Sequence, residues 1–327
     1  MTVPFTLQDI YAAQKIIKGI AFRTPTVYSP CISRKFQARV YLKLENYQPI
    51  RVFKVRGATN KVKNCPQGKK IVAASSGNHG LAVAYVCKLL GRSAIVFVPE
   101  GANPDKVSAI KDCDAELKQV GHTFEDAYEE ASRFCKRTDA VLVHAYDDPM
   151  VMAGQGTVGL EILEDNPEVD TVVVPIGGGG LIGGTAFALK NLKKSIRVVG
   201  VQSENAPSML EAVRLGGPVR VELTPTLADG MFISLATETM LQVVKECVDE
   251  IVLVSDSDLE KAMLMLLKGD HVLAEPCGAA AVAAIMNGSV KGKGKEIVAV
   301  VSGGNISISY LSKLLQSEFN SSSTGSS

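Results

Sequence analysis

Residues 71–98 read IVAASSGNHGLAVAYVCKLLGRSAIVFV, and in this stretch two short apolar runs flank a helical pattern. Ile71–Ala74 and Ala94–Val98 have the length and composition of buried strands, and the residues from 78 to about 90 predict a helix between them. A strand, a helix and a second strand in this order are typical of a parallel sheet that carries helices on its faces. The stretch therefore predicts an α/β fold.

The same alternation continues outward from this stretch in both directions. It predicts a small domain over residues 51–146 and a second α/β unit over residues 147–316. We expect residues 1–50 to pack on the second unit and so to complete a large domain. The prediction is thus two doubly wound parallel-sheet domains. Residues 317–327 are a polar, serine-rich tail of low complexity, for which disorder is expected.

Length and charge narrow the range of partners. A chain of 327 residues exceeds the usual size of a single core, which agrees with two domains. With 35 basic and 34 acidic residues the net charge is +1, so there is no electrostatic case for binding nucleic acid or an anionic membrane. Small molecules are the expected partners.

The cysteines and the N-terminus bear on location. Seven cysteines are scattered without a CxxC pair, and no His-rich cluster accompanies them, so no zinc site is expected. The first residues lack the basic and apolar regions of a signal peptide, and no apolar run approaches the roughly 20 residues of a membrane span. We therefore expect a cytoplasmic protein with reduced thiols.

Lys54 is a candidate for chemistry because it stands between Phe53 and Val55. A lysine held among apolar groups loses hydration of its ammonium, which lowers its pKa and makes it a nucleophile or Schiff-base former. The more common fate of such a lysine is to pack its stem and to extend the ammonium into solvent. The local sequence leaves both interpretations open.

A glycine run follows the apolar segment at 171–176. Residues 178–183 satisfy G-x-G-x-x-G, and Glu204 lies about where a dinucleotide-binding fold places its ribose acid, so a nicotinamide-dependent Rossmann oxidoreductase is one interpretation. Four consecutive glycines after Pro175 also make a wide nest of backbone N–H groups, suited to one compact phosphate at a helix N-terminus. Phosphate binding is common to both interpretations.

Five ordered motifs accompany Lys54 and carry a family resemblance. They are Asn46-Tyr47-Gln48-Pro49, Ser75-Ser76-Gly77-Asn78-His79-Gly80, Ala153-Gly154-Gln155-Gly156-Thr157, Gly177-Gly178-Gly179-Gly180-Leu181 and Ser302-Gly303-Gly304-Asn305. From about residue 24 to about residue 314 the chain resembles the serine/threonine dehydratase and serine racemase family of pyridoxal-phosphate enzymes. The resemblance implies a fold like that of the tryptophan synthase β subunit, pyridoxal 5'-phosphate as cofactor, and a homodimer or homotetramer.

The resemblance also implies roles for individual residues. The residues implied at the cofactor are Phe53, Lys54, Asn78, Gly177, Gly178, Gly179, Gly180, Leu181 and Ser302, with Lys54 as the covalent attachment point. Asn78 is implied at the 3-oxygen of the pyridine ring, Ser302 at its nitrogen and the glycine run at the phosphate. The residues implied at the substrate carboxylate are Ser75, Ser76, Gly77, Asn78 and His79.

Ser75, Ser76 and His79 carry specific expectations. Ser75 or Ser76 is predicted to cap the helix that follows, and the resemblance makes Ser76 the opposite-face acid or base of racemases. His79 beside a helix start is expected to donate to a backbone carbonyl rather than to act as a general base.

The chain departs from the family pattern in a later segment and just before Lys54, and Ile50 and Arg51 replace small or polar residues that are common there. Val52 replaces a common serine. Gln202 and Ser208 stand where serine racemases have acidic ligands for a divalent ion, and hard cations need anionic oxygens, so no metal site is expected.

The predicted function is a pyridoxal-phosphate-dependent ammonia-lyase that converts L-threonine or L-serine to a 2-oxo acid and ammonia. One alternative is a serine or hydroxyaspartate racemase that uses Lys54 and Ser76 on opposite faces of the substrate. The nicotinamide-dependent oxidoreductase is a more distant alternative.

Overall fold

A computed structural model describes residues 3–102, 104–290 and 296–324. The strands are β1 Thr26–Tyr28, β2 Arg39–Leu44, β3 Ile71–Ala74, β4 Ala94–Val98, β5 Glu116–Gln119, β6 Val141–Leu142, β7 Thr171–Pro175, β8 Arg197–Ser203, β9 Glu250–Val254 and β10 Glu296–Val301. The helices are α1 Leu7–Ile16, α2 Pro30–Phe36, α3 Lys54–Asn64, α4 Asn78–Leu89, α5 Pro104–Lys111, α6 Phe124–Thr138, α7 Pro149–Asp165, α8 Gly180–Leu192, α9 Ser208–Leu215, α10 Glu238–Cys247, α11 Asp256–Asp270, α12 Pro276–Met286 and α13 Ile308–Thr324.

The strands form two sheets, which confirms the predicted α/β fold. The small sheet has the order β5-β4-β3-β6, and all of its described pairs are parallel. The large sheet has the order β1-β2-β10-β7-β8-β9 and is parallel except for β1, which pairs antiparallel with β2. Strands from both ends of the chain thus lie side by side in the large sheet.

The large sheet is buried on both faces. Along β7, Val172 and Val174 pack into one apolar cluster and Val173 packs into another on the opposite face. Along β10, Val298 belongs to the first cluster and Ala299 to the second. Strands covered by helices on both sides read as continuous apolar runs, which is why the sequence pattern was recognisable. Among the described residues, no helix combines the length and apolar character needed to cross a membrane.

Two short elements and one helix end differ from the sequence interpretation. Strand β1 and helix α2 were not predicted, and three and seven residues are too few for a clear periodic pattern. Helix α13 continues to Thr324, into the segment whose composition suggested disorder, and Leu314 anchors it in the core. Residues 325–327 of that segment lie outside the described residues.

Helix α7 brings the helix that carries Lys54 against the large sheet. Helices α3 and α7 approach so closely that a Cβ added at Gly154 would lie 2.7 Å from the Cα of Gly57. A side chain at either position would therefore push the two helices apart. Gly154 of the Ala153–Thr157 motif thus allows the close packing of the two helices.

A buried ion network joins the same two helices to strand β2. The Arg56 guanidinium donates to Glu45 Oε1 at 2.7 Å and to Glu161 Oε1 at 2.6 Å, and all three side chains are buried. Lys43 Nζ lies 2.8 Å from Glu161 Oε2 and donates to the carbonyl of Thr24 at 2.6 Å. Burial alone would raise the pKa of Glu45, but Arg56 and Lys43 hold it below the usual value. Two cations and two carboxylates therefore neutralise each other inside the protein.

Replacing Arg56 with Ala is expected to destabilise the protein by about 3–5 kcal/mol, because Glu45 and Glu161 would be left buried without their partner. Urea unfolding followed by circular dichroism measures the change. Arg133→Ala is the matched control: this arginine pairs with Glu129 and Glu130 on the exposed side of α6 and should cost about 0–1 kcal/mol. Equal costs for the two variants would contradict a structural role for the buried network.

Candidate active site

A cavity of about 500 Å³ lies where the carboxyl ends of both sheets meet. Ser75 follows β3, Gly177 follows β7 and Ser302 follows β10, so three strand ends contribute to its wall. Clefts outside the carboxyl ends of parallel strands are the usual ligand sites of such folds. All residues predicted for the site line this cavity: Phe53, Lys54, Ser75, Ser76, Gly77, Asn78, His79, Gly177, Gly178, Gly179, Gly180, Leu181 and Ser302.

Lys54 is the first residue of α3 and points its amine into the cavity. Its Nζ donates to the carbonyl of Ala145 at 2.8 Å and lies 5.1 Å from the centre of the Phe53 ring. Burial lowers the pKa of Lys54 to about 8. A substantial neutral fraction near physiological pH makes this amine suitable for a Schiff base and for taking up a proton.

Helix α4 begins at the cavity without a side-chain cap. The cap position is Gly77, and the predicted capping by Ser75 or Ser76 is wrong. Ser75 Oγ instead accepts from the N–H of Gly77 at 3.1 Å, within the turn that precedes the helix. The first N–H groups of α4 therefore have no side-chain oxygen as partner and face a cavity that can hold a carboxylate.

Helix α8 presents a second uncapped N-terminus to the same cavity. Its cap residue, Gly179, has φ of 97° and offers no side chain. The ring of Tyr146 lies against the preceding glycine, and a Cβ added at Gly178 would come within 2.2 Å of the ring's Cδ1. A lysine amine and a glycine cradle at a helix N-terminus, facing one cavity, fit the aldehyde and the phosphate of pyridoxal phosphate.

His79 serves the backbone, as its position at a helix start predicted. Its Nε2 lies 2.8 Å from the carbonyl of Val143, so this nitrogen carries the proton. Burial, with the nearby charge of Lys54, lowers the pKa of His79 to about 3. The imidazole thus holds the end of the small sheet in place in its neutral form.

Several residues of the cavity wall are not among those predicted from the sequence. Glu275 is a buried carboxylic acid that accepts from Asn78 Nδ2 at 2.8 Å. Lys106 and Asp229 form an ion pair between α5 and the large-domain segment that faces it. The Glu275-Pro276 pair was readable as a helix start, since Pro favours the first helical position, but that pattern says nothing of a cavity. Lys106 and Asp229 had no sequence signal.

Gln202 and Ser208 stand where the resemblance places the metal ligands of serine racemases, and the hydrogen bonds of Gln202 join uncharged groups. Gln202 accepts from the N–H of Leu210 at 2.9 Å and donates to the carbonyl of Ala206 at 3.3 Å. Ser208 is buried beside them. Over the described residues, no three His, Cys, Asp or Glu side chains are grouped so as to hold a metal ion.

The chain belongs to the pyridoxal-phosphate dependent enzyme family, whose model matches residues 17–303. It is 42% identical to an L-threonine ammonia-lyase of Thermotoga maritima over 95% of this chain and 78% of that one. It is 38% identical to the catabolic L-threonine dehydratase TdcB of Escherichia coli K12 over 95% and 96%. The solved structure of maize serine racemase superposes with a TM-score of 0.91 at 32% identity, covering 97% of this chain and 98% of that one.

Family membership establishes pyridoxal phosphate as the cofactor and removes the nicotinamide alternative. The structure agrees, because Glu204 is exposed and is not part of the cavity wall, whereas a ribose-binding acid would have to reach the ligand.

Lys54→Met is expected to stabilise the apoprotein at pH 7 by about 2 kcal/mol, because the buried ammonium disappears. Between pH 8 and 10.5 the unfolded wild type binds a proton at this lysine that the folded form lacks, so wild-type stability rises with pH across this window. The advantage of the variant should shrink over the same range.

Urea unfolding at several pH values measures this difference. Lys63→Met, on the exposed side of the same helix, controls for the loss of one positive charge. A difference that stays constant from pH 7 to 10.5 would contradict a lowered pKa at Lys54.

Proposed function

We propose that the protein is an ammonia-lyase that converts L-threonine and L-serine to 2-oxo acids and ammonia. The water that leaves with the β-hydroxyl is taken up again when the resulting enamine hydrolyses. The observation that carries the proposal is the placement of the Lys54 amine in one cavity with two uncapped helix N-termini. One helix start suits a phosphate and the other suits a substrate carboxylate. The names of the Thermotoga and Escherichia relatives support the same reaction.

Each part of the site has a proposed task. The bound cofactor supplies the electron sink that makes the α-proton of an amino acid acidic. Lys54 anchors the cofactor and, once displaced by substrate, takes the α-proton. The N–H groups at the start of α4 orient the substrate carboxylate, and those of Gly178 to Gly180 hold the phosphate.

Ser302 is proposed to face the pyridine nitrogen. Its side chain is buried at the end of β10, and its Oγ lies 3.3 Å from the carbonyl of Cys277, to which it donates. A neutral hydroxyl cannot hold the ring nitrogen protonated as a carboxylate would, so the ring withdraws electrons more weakly. Elimination tolerates a weaker sink, because the departing β-substituent takes up the electron pair.

The charge of the cavity wall favours an uncharged β-substituent. Among the described residues, two lysines and no arginine line the cavity. They are Lys54 and Lys106, and Lys106 is paired with Asp229. A β-carboxylate would need a cation of its own. Phe124, Phe232 and Ile233 line the wall instead, and they suit the methyl group of threonine. Threonine and serine are therefore preferred over hydroxyaspartate.

Lys54→Ala should abolish 2-oxo acid formation and the borohydride-sensitive visible absorbance of the bound cofactor, because anchor and base are lost together. The assay measures 2-oxo acid from L-threonine and L-serine, with the spectrum recorded before substrate is added. Unchanged far-ultraviolet circular dichroism shows that the variant is folded. A folded variant that retains near-wild-type elimination would refute the site.

A serine racemase is the second candidate, favoured by Ser76, which lines the same cavity as Lys54, and by the likeness to maize serine racemase. Inversion requires a second acid on the far face of the α-carbon, whereas elimination of the L-substrate does not. We propose that racemisation is a minor activity that depends on Ser76.

Ser76→Ala should therefore leave most elimination of L-serine intact and reduce formation of D-serine by about 10²–10⁴-fold, as for a lost general acid. The two rates, pyruvate release and D-serine formation, are measured on wild type and variant in parallel. Should wild type interconvert the enantiomers faster than it releases pyruvate, the racemase takes first place.

We also propose a homodimer or homotetramer in the cytoplasm. Exposed Phe22, Tyr28 and Ile308 support association, since large apolar side chains at a surface favour contact between chains. Seven unpaired cysteines support a reducing compartment. Light scattering of the purified holoenzyme gives the oligomeric state.

A further inference from the structure

Glu275 stands at the start of α12 but does not cap that helix. It occupies the cap position, makes no side-chain cap hydrogen bond, and sends its carboxyl group toward the small sheet instead. There Oε1 accepts from Asn78 Nδ2 at 2.8 Å. The carboxyl group is buried, and the backbone N–H of Glu275 donates to the carbonyl of Gly303 at 3.0 Å. The buried carboxyl group of Glu275 thus bonds to an amide at the start of α4 instead of to the N–H groups of its own helix.

The Asn78 amide is held on both sides. Its Oδ1 accepts from Asn305 Nδ2 at 2.8 Å, and Asn305 Nδ2 also donates to the carbonyl of Ile50 at 3.0 Å. This series of hydrogen bonds has an acceptor at each end, namely the Ile50 carbonyl and the Glu275 carboxylate. A flipped Asn78 would place its oxygen against the carboxylate and its nitrogen against another donor, so only one orientation satisfies every group.

We propose that Glu275 is a positioning residue that orients Asn78 toward the ring oxygen of the cofactor. An amide nitrogen carries two N–H donors, Glu275 takes one, and the other remains for the cavity that Asn78 lines. The proposal rests on the proposed function, which places Asn78 at the 3-oxygen.

The choice of substitutions at Glu275 depends on the hydrogen-bond acceptor that its carboxyl group provides in either ionisation state. Burial raises the pKa of Glu275 to about 7, while Lys106 and Asn78 favour its charged form. Charged or protonated, the group keeps an oxygen that accepts from Asn78. Glutamine keeps such an oxygen at the same place, whereas leucine removes it at similar volume. Glu275→Gln is therefore the conservative variant and Glu275→Leu the disruptive one.

The test is a double-mutant cycle on cofactor affinity, measured by equilibrium dialysis of pyridoxal phosphate without substrate. Glu275→Leu and Asn78→Ala should each weaken the affinity about tenfold, as expected for a lost hydrogen bond to a charged group. The double variant should be no weaker than Asn78→Ala alone, because Glu275 acts through Asn78. Glu275→Gln should stay within about threefold of wild type by retaining the acceptor.

Control and contrary outcomes are defined by the same measurement. Glu238→Leu, at an exposed helix start outside the cavity, should leave the affinity unchanged. An additive loss in the double variant, or no loss in Glu275→Leu, would overturn the proposal. Where Glu275→Leu does not fold, Glu275→Ala replaces it in the same cycle, because alanine also removes the acceptor. An additive loss of affinity on combining Glu275→Ala with Asn78→Ala overturns the proposal as well.

Failure of the proposed function shows itself separately. It would appear as the absence of 2-oxo acid formation by the wild type. The double-mutant cycle measures only the affinity for pyridoxal phosphate, without substrate.

Discussion

The placement of Lys54 in the cavity depends on a buried guanidinium two residues further along the chain. Arg56 is fully buried, and its charge is tolerable only where Glu45 and Glu161 meet it. Glu45 follows strand β2, and Glu161 lies on α7, so the pairing fixes the rotation and height of α3 against the large sheet. Lys54 is the first residue of that helix, and its amine inherits this placement. A charge network of this kind contributes position more than stability.

The two helix starts at the cavity show where local stability was given up. Helices α1, α6 and α11 begin with full capping boxes, whereas α4 and α8 begin at glycines without a side-chain cap. A glycine at the cap position costs only a few tenths of a kcal/mol relative to a capping side chain, but it leaves N–H groups unsatisfied. Such departures from local rules are expected at functional sites, where a ligand completes what the sequence leaves open.

Much of the fold could be predicted because both sheets are covered on two faces. Residues 71–98 repeat a pattern that needs only neighbours in sequence to be read, and it led directly to the parallel architecture. The ion network could not be read in this way, since Arg56 and Glu161 are 105 positions apart and neither has a local signature. The cap at Ser75 or Ser76 failed for the opposite reason. Serine before a helix is a sound local signal, but the turn uses Ser75 instead.

The candidate site was predictable through its motifs and incomplete without contacts. Lys54, Asn78 and the glycine run were named in advance, and all of them line the cavity. Glu275 reads in sequence as a helix start before Pro276, and its partner Asn78 is 197 positions away. Only the fold shows that this acid faces an amide at the start of α4. The residues proposed to touch cofactor or substrate were recognisable from motifs, whereas Glu275, proposed to orient one of them, was not.

The distribution of charge in the cavity agrees with the proposal that backbone dipoles hold the phosphate. Glycine N–H groups and a helix N-terminus supply the positive potential that a lysine or arginine would otherwise provide. Within the described part of the chain, Lys54 and Lys106 are the two lysines that line the cavity, and no arginine lines it. Lys106 is neutralised by Asp229. A further unpaired ammonium or guanidinium would lower the pKa of Lys54 beyond the effect of burial and weaken it as a base. Burial lowers the pKa of Lys54 to about 8, at which it can both release and accept a proton near neutral pH.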